Sequence, residues 1–183
     1  MVVVLFAERH SDDIAWLAVG LAHGFVQTGG NPRVALALDD MSDLVVSSLV
    51  LTVDIASLSP REASRRLREL AGKGYQVVSA SSGRNERALA FLDAADRILL
   101  VADLSVPSVR GLQRTIKLVD SLGLPPDRTP VVLYRCRDDA ALSPSEVAGV
   151  LSRDVFAQLQ SGVDGPADAA ACAALADRLL QLT

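Results

Sequence analysis

Met1-Val2-Val3-Val4-Leu5-Phe6 opens the chain as an unbroken apolar run, and Ile14, Leu17, Ala18, Leu21, Ala22 and Phe25 then recur every three or four residues. The first pattern suits a strand covered on both faces, and the second a helix with one apolar stripe. This alternation continues to the end of the chain. Arg33–Leu38 reads as a second strand, closed by Asp39-Asp40. Leu44–Leu58 is apolar and β-branched without a clear period; the expectation is a helix running into an extended segment. Ser59-Pro60-Arg61-Glu62 places Ser at the N-cap, Pro at N1 and Glu at N3 of a helix that runs to about Ala71 and stops near Gly72 or Gly74. Tyr75–Ser79 reads as a strand, and Arg84–Ala95 as a helix with Leu89, Leu92 and Ala95 inward. Arg97–Ala102 contains the clearest buried strand, Ile98-Leu99-Leu100-Val101-Ala102. Pro107–Leu122 carries Val109, Leu112, Ile116, Val119 and Leu122 on one stripe and Arg110, Arg114 and Lys117 on another face. After a Pro125-Pro126-Asp127 turn come a strand to Tyr134, a helix capped by Ser143 and reaching about Leu151, a short strand Val155–Leu159 and a terminal helix Ala167–Leu180.

Strands alternating with helices predict an α/β architecture: a doubly wound, mostly parallel sheet with helices on both faces. At 183 residues, the chain reads as one domain over 1–183, with no internal repeat and no linker. Half the residues are apolar and only 4% are aromatic, so the core is expected to be aliphatic. A formal net charge of −4 provides no global basic field for nucleic acid. Cys136 and Cys172 lack metal-ligand spacing, no signal peptide pattern precedes Val2, and no apolar run approaches the length of a membrane span. The expectation is therefore a cytoplasmic protein with reduced cysteines, no metal and no cofactor.

The loop between the first strand and first helix carries the main chemical information. A strand, a tight loop and a helix N-terminus form the usual α/β phosphate site, which needs glycines for close backbone approach and a lysine for charge. Ala7-Glu8-Arg9-His10-Ser11-Asp12-Asp13 has neither, and carries three acids. An acid about 4 Å from a phosphate costs on the order of 1–4 kcal/mol at surface-like dielectrics. The plain reading of Asp12-Asp13 is a helix cap and dipole partner. His10, Ser11 and Asp12 do not make a triad, because adjacent residues do not readily face one another. Catalytic residues are therefore assigned to none of these positions.

The run from Phe91 to Leu151 resembles the MinD/ParA group of P-loop ATPases, and most closely its CpaE/TadZ branch, linked to Tad (Flp) pilus assembly. The resemblance is carried by Leu92-Asp93-Ala94-Ala95-Asp96-Arg97-Ile98-Leu99-Leu100-Val101, Val106-Pro107-Ser108-Val109-Arg110, Gly123-Leu124-Pro125-Pro126-Asp127-Arg128 and Leu142-Ser143-Pro144-Ser145-Glu146-Val147. It implies a P-loop NTPase, MinD-like three-layer sandwich. Placed without gaps, the family's Lys-Gly-Gly-x-Gly-Lys-Thr-Thr loop falls on Arg9, His10, Ser11, Asp12, Asp13, Ile14, Ala15 and Trp16. The phosphate lysine becomes Ile14, the magnesium-binding threonine becomes Ala15, and Arg9 alone keeps the charge that reaches a partner subunit. The family's first switch Asp falls on Leu38, beside Asp39 and Asp40; the Walker B Asp falls on Ser79; the base-reading Asn falls on Tyr134, before Arg135.

With these polar roles vacated, the resemblance implies a pseudo-ATPase: a non-catalytic scaffold or localisation protein in pilus assembly, secretion or polar positioning. It would bind protein partners as a homodimer or with an active paralogue, at the membrane or cell pole, with Arg9 and Arg135 as partner contacts. Trp16 would fill the emptied nucleotide pocket. The alternatives are an ATP-binding dimerisation switch in which Arg9 and Arg135 replace the lysine, and an enzyme using another ligand at the strand ends.

Overall fold

The computed structural model describes residues 1–8, 12–28, 33–38, 46–83, 85–134, 140–160 and 168–182, with Asp12 and Asp13 described in backbone only. Seven strands, β1 (Val2–Ala7), β2 (Arg33–Leu38), β3 (Val50–Asp54), β4 (Tyr75–Ser82), β5 (Arg97–Ala102), β6 (Val131–Tyr134) and β7 (Val155–Leu159), form one sheet in the order β3-β2-β4-β1-β5-β6-β7. All six pairings are parallel. The helices are α1 (Asp12–Gln27), α2 (Pro60–Gly72), α3 (Glu86–Ala94), α4 (Val106–Ser121), α5 (Pro144–Leu151) and α6 (Ala169–Gln181).

Strand alternation divides the core in two. Val2, Val4 and Phe6 point into an apolar cluster completed by α2, α3, α4 and α5. Val3 and Leu5 point the other way, into a cluster completed by α1 and α6. The result is a three-layer, doubly wound α/β fold. All six stripe residues expected on α1, from Ile14 to Phe25, are buried. Both proline-initiated helices close with a full capping box: Ser59 accepts from the Glu62 backbone while Glu62 accepts from the Ser59 backbone, and Ser143 and Glu146 repeat the arrangement.

The structure corrects the sequence expectations in four places. Of the ambiguous Leu44–Leu58 segment, the described part contains no helix; its β-branched residues instead form β3, paired with β2 as a sheet-edge strand. On α3 the inward stripe is Ala88, Phe91, Leu92 and Ala95, so Leu89, one residue out of phase, is 47% exposed. Leu122 lies past the last turn of α4 as its C-cap and is also exposed. Finally, β4 does not end at Ser79 but continues to Ser82.

Candidate functional site

In an open parallel sheet, ligands bind outside the carboxyl ends of the strands where successive helices leave for opposite faces. Here that point is β1. Its helix α1 covers one face, while α3 and α4, following the flanking strands β4 and β5, cover the other. The end of β1 and the start of α1 therefore border the crevice. Of the sequence-derived site residues, Arg9, His10, Ser11, Asp39, Asp40 and Arg135 lie outside the described residues, as does Cys136.

The described residues show how the crevice is built. Asp12 and Asp13 are the first residues of α1. Ile14, where the sequence expectation sets the phosphate lysine, is 4% exposed and packs in the cluster between α1, α6 and the sheet. Ala15 packs against the same cluster, whereas Trp16 is partly buried and belongs to neither cluster. The chain's lysines are Lys73 and Lys117; Lys73 caps α2 just before β4, at the opposite end of the sheet from the crevice, and Lys117 is on α4.

Ser79 sits mid-strand, level with Val4 of β1 and Ala37 of β2. It is fully buried, and its hydroxyl donates to the Ala37 carbonyl at 2.7 Å. The β4 residues that reach the crevice are Ser81 and Ser82, opposite Phe6 and Ala7. The sequence expectation ended the strand at Ser79, although Gly83 is the first helix- or strand-breaking residue after Tyr75 and marks the true end. Gly83 takes φ of +73° and donates its N–H to the Ala7 carbonyl at 3.1 Å, tying the two strand exits together. Tyr134 ends β6 with its ring buried in the α1/α6 cluster.

Glu8 is one of the three acids of the loop, and the sequence pattern assigns it no partner. It accepts from the Arg114 Nε at 3.2 Å and from the Thr115 hydroxyl at 3.1 Å, both on α4. Gly111 makes this approach possible: a Cβ there would lie 2.9 Å from the Glu8 Cβ. The start of the β1–α1 connection is thus tied to α4 by a carboxylate that is only 19% exposed. At the end of β5, the Asp103 carboxylate accepts from the Ser105 N–H at 2.8 Å in the turn that opens α4.

His23 is a structural residue, its Nε2 accepting from the Ser47 N–H at 3.0 Å and so joining α1 to the turn before β3. Burial pushes the Cys172 thiol up to about 11, with Asp168 adding to the effect, so the thiolate nucleophile is suppressed. Among the described residues no group of three or more His, Cys, Asp or Glu is placed to hold a metal, and no helix is long and apolar enough to cross a membrane.

No family model and no curated protein sequence matches the chain. Its fold does match solved structures. The MinC:MinD cell division complex of Aquifex aeolicus superposes with a TM-score of 0.78 at 15% identity, over 98% of this chain and 96% of that one. A ParA family ATPase from Chlorobium tepidum gives 0.71 at 14% identity, over 87% and 84%. The septum site-determining protein MinD of Pyrococcus horikoshii, complexed with Mg-ADP, gives 0.76 at 13% identity, over 99% and 96%. The fold is therefore that of the MinD/ParA-type P-loop ATPases. At these identities the likeness defines the architecture, and function has to be argued from the site.

Proposed function

We propose that the chain is a pseudo-ATPase: a non-catalytic MinD/ParA-type scaffold or localisation protein, resembling the CpaE/TadZ branch and acting in pilus assembly, secretion or polar positioning. The observation that carries this reading is Ile14. The first turn of α1 directs an aliphatic side chain into the core, at the position where the resemblance sets a phosphate-binding lysine. An inward-facing Ile cannot be compensated by a small backbone shift, because moving it would open the apolar cluster. The committed hydroxyl of Ser79 and the acids Asp12 and Asp13 at the helix start act in the same direction.

A scaffold of this kind works through protein partners. One solved relative by fold is a complex of MinD with MinC, and the proposal is a homodimer or a pairing with an active paralogue, formed without nucleotide. Isothermal titration with ATP and Mg²⁺ tests it. No heat of binding and no phosphate release are expected; micromolar affinity with turnover would overturn it.

A second reading is an ATP-binding dimerisation switch with an atypical loop. It is favoured by the fold likeness to the Mg-ADP-bound Pyrococcus horikoshii protein. In that case ATP raises the melting temperature by mass action, and Arg9→Ala abolishes the rise.

A further inference from the structure

We infer that β3 is a dimerisation edge: a second copy of this chain pairs its own β3 antiparallel to it, joining two sheets into one across a two-fold axis at Thr52. β3 ends the sheet beside β2. The Ile55 N–H donates to the Leu38 carbonyl of β2 at 3.2 Å. Backbone direction alternates along a strand, so Leu51 and Val53 also turn their N–H and C=O groups toward β2, while Val50, Thr52 and Asp54 turn theirs away from the sheet. Among the described residues nothing answers the outward N–H and C=O of Thr52 or the N–H of Asp54. The Val50 N–H is closed by the Ser47 carbonyl at 3.0 Å. The strand also lacks the usual guards of an open edge, since Val50-Leu51-Thr52-Val53 holds no Lys, no Pro and no charge. At the other edge, β7, Arg178 lies 4.2 Å over the Phe156 ring and donates to the Phe156 carbonyl, so that edge is partly closed.

The edge is complementary to itself. With the axis through Thr52, the two Thr52 residues form a hydrogen-bonded pair that exchanges both N–H···O=C bonds, and each Asp54 N–H reaches the carbonyl of the partner's Val50. On the face covered by α2, Leu51, which is 41% exposed, then lies opposite the partner's Val53, which is half-buried against the core. Neighbouring registers are worse. Moving the axis to Leu51 sets the engaged Val50 N–H opposite Thr52 and forfeits a bond on each side. Moving it to Val53 brings the two Asp54 carboxylates nearer to the axis and to one another. Charge beside the edge also suits an identical partner. A groove of about 330 Å³ next to Val53 and Leu58 is walled by Glu62, Arg65, Arg66 and Glu69 of α2. This wall carries two acids and two bases, so the same wall running in the opposite direction is not repelled, whereas a strand of one charge sign finds no opposing field.

The inference rests on the scaffold reading for a nucleotide-free homodimer, and places its contact at the sheet edge, with β2 and β4 between it and β1. Sedimentation equilibrium over a concentration series, without nucleotide, should show monomer passing to dimer. Over the same series, hydrogen exchange at the Thr52 and Asp54 amides should slow as concentration rises, while the Val53 amide, turned toward β2, should stay slow throughout. Thr52→Pro removes the central donor at a position facing away from β2, and Leu51→Lys sets a charge against the partner's Val53. Each should weaken dimerisation by about tenfold or more. If Thr52→Pro lowers the melting temperature, Leu51→Lys, at an exposed position, carries the test. Leu122→Lys, at a leucine that is 51% exposed after α4, should leave dimerisation unchanged. A dimer that survives Leu51→Lys, or Thr52 and Asp54 amides that exchange at the same rate at every concentration, would overturn the edge contact alone and leave the homodimer standing. A chain that stays monomeric at every concentration would overturn both the edge contact and the homodimer. ATP turnover in samples that still dimerise through β3 would overturn the scaffold reading while leaving the edge contact in place.

Discussion

Single side chains decide how closely the layers of this fold approach. Gly24 of α1 lies against the backbone of α6, where a Cβ would stand 2.5 Å from the Cys172 carbonyl oxygen. Because the obstacle is helix backbone, it cannot rotate away. Gly24→Ala should cost about 2 kcal/mol or more by forcing the two helices apart, read as a lower urea midpoint at unchanged slope. Ser79 makes the opposite kind of contribution: its buried hydroxyl satisfies itself on Ala37 of the neighbouring strand. Ser79→Ala should cost about 1 kcal/mol, whereas Ser79→Asp should be far more damaging, since it buries a carboxylate with no room for solvent. If Ser79→Asp instead folds with unchanged stability, the burial argument is wrong about this position. These roles were only partly visible in the sequence. That Ile14 faces inward followed from its spacing with Leu17 and Leu21; that Glu8 meets Arg114 did not, because nothing local links residues so far apart in the chain.

Among the helices, α2 and α5 announce their own starts. Ser-Pro-x-Glu defines N-cap, N1 and N3, and both copies form the reciprocal bonds that the pattern implies. Hydrogen bonds from the Ser59 side chain, then its backbone, hold the Glu62 carboxyl below its usual value; for Glu146 the Ser143 backbone contributes most. A carboxyl with a depressed folded-state pKa adds stability that is fully present above the unfolded value of 4.5 and is lost as pH falls below it toward the folded value. The melting-temperature gap between wild type and the double variant Glu62→Gln/Glu146→Gln should therefore be constant above about pH 5.5 and narrow below pH 4.5; a gap that widens on acidification would contradict the capping role. Ser59→Ala should lower stability by about 1 kcal/mol at neutral pH. By contrast β3 was opaque in the sequence. Val50-Leu51-Thr52-Val53 can serve a strand or a buried helix turn, and only an open edge beside β2 selects between them. The end of β4 was misjudged for a related reason: Ala80-Ser81-Ser82 has weak strand character, and it is extended because Leu5, Phe6 and Ala7 lie alongside.

At the level of the assembled fold, two apolar clusters lie on opposite faces of one sheet and share its strands. We propose that residues 1–183 unfold as one unit. Trp16, the chain's single tryptophan, reports from α1 on one face, and far-UV circular dichroism reports on all the helices. The two signals should give coincident urea transitions; separate midpoints would mean that the faces unfold independently. The alternation of strand and helix, the aliphatic core, the stripe of α1, the capping boxes and the absence of a glycine-rich phosphate loop all follow from local pattern. Spacing and side-chain chemistry act over a few residues, and such features need no knowledge of the rest of the chain. The order of the strands, the edge position of β3, the placement of Ser81 and Ser82 at the crevice and the bond from Glu8 to α4 depend on which segments become neighbours. That is a global outcome of burying both faces of the sheet at once, and it becomes readable only when the chain is folded.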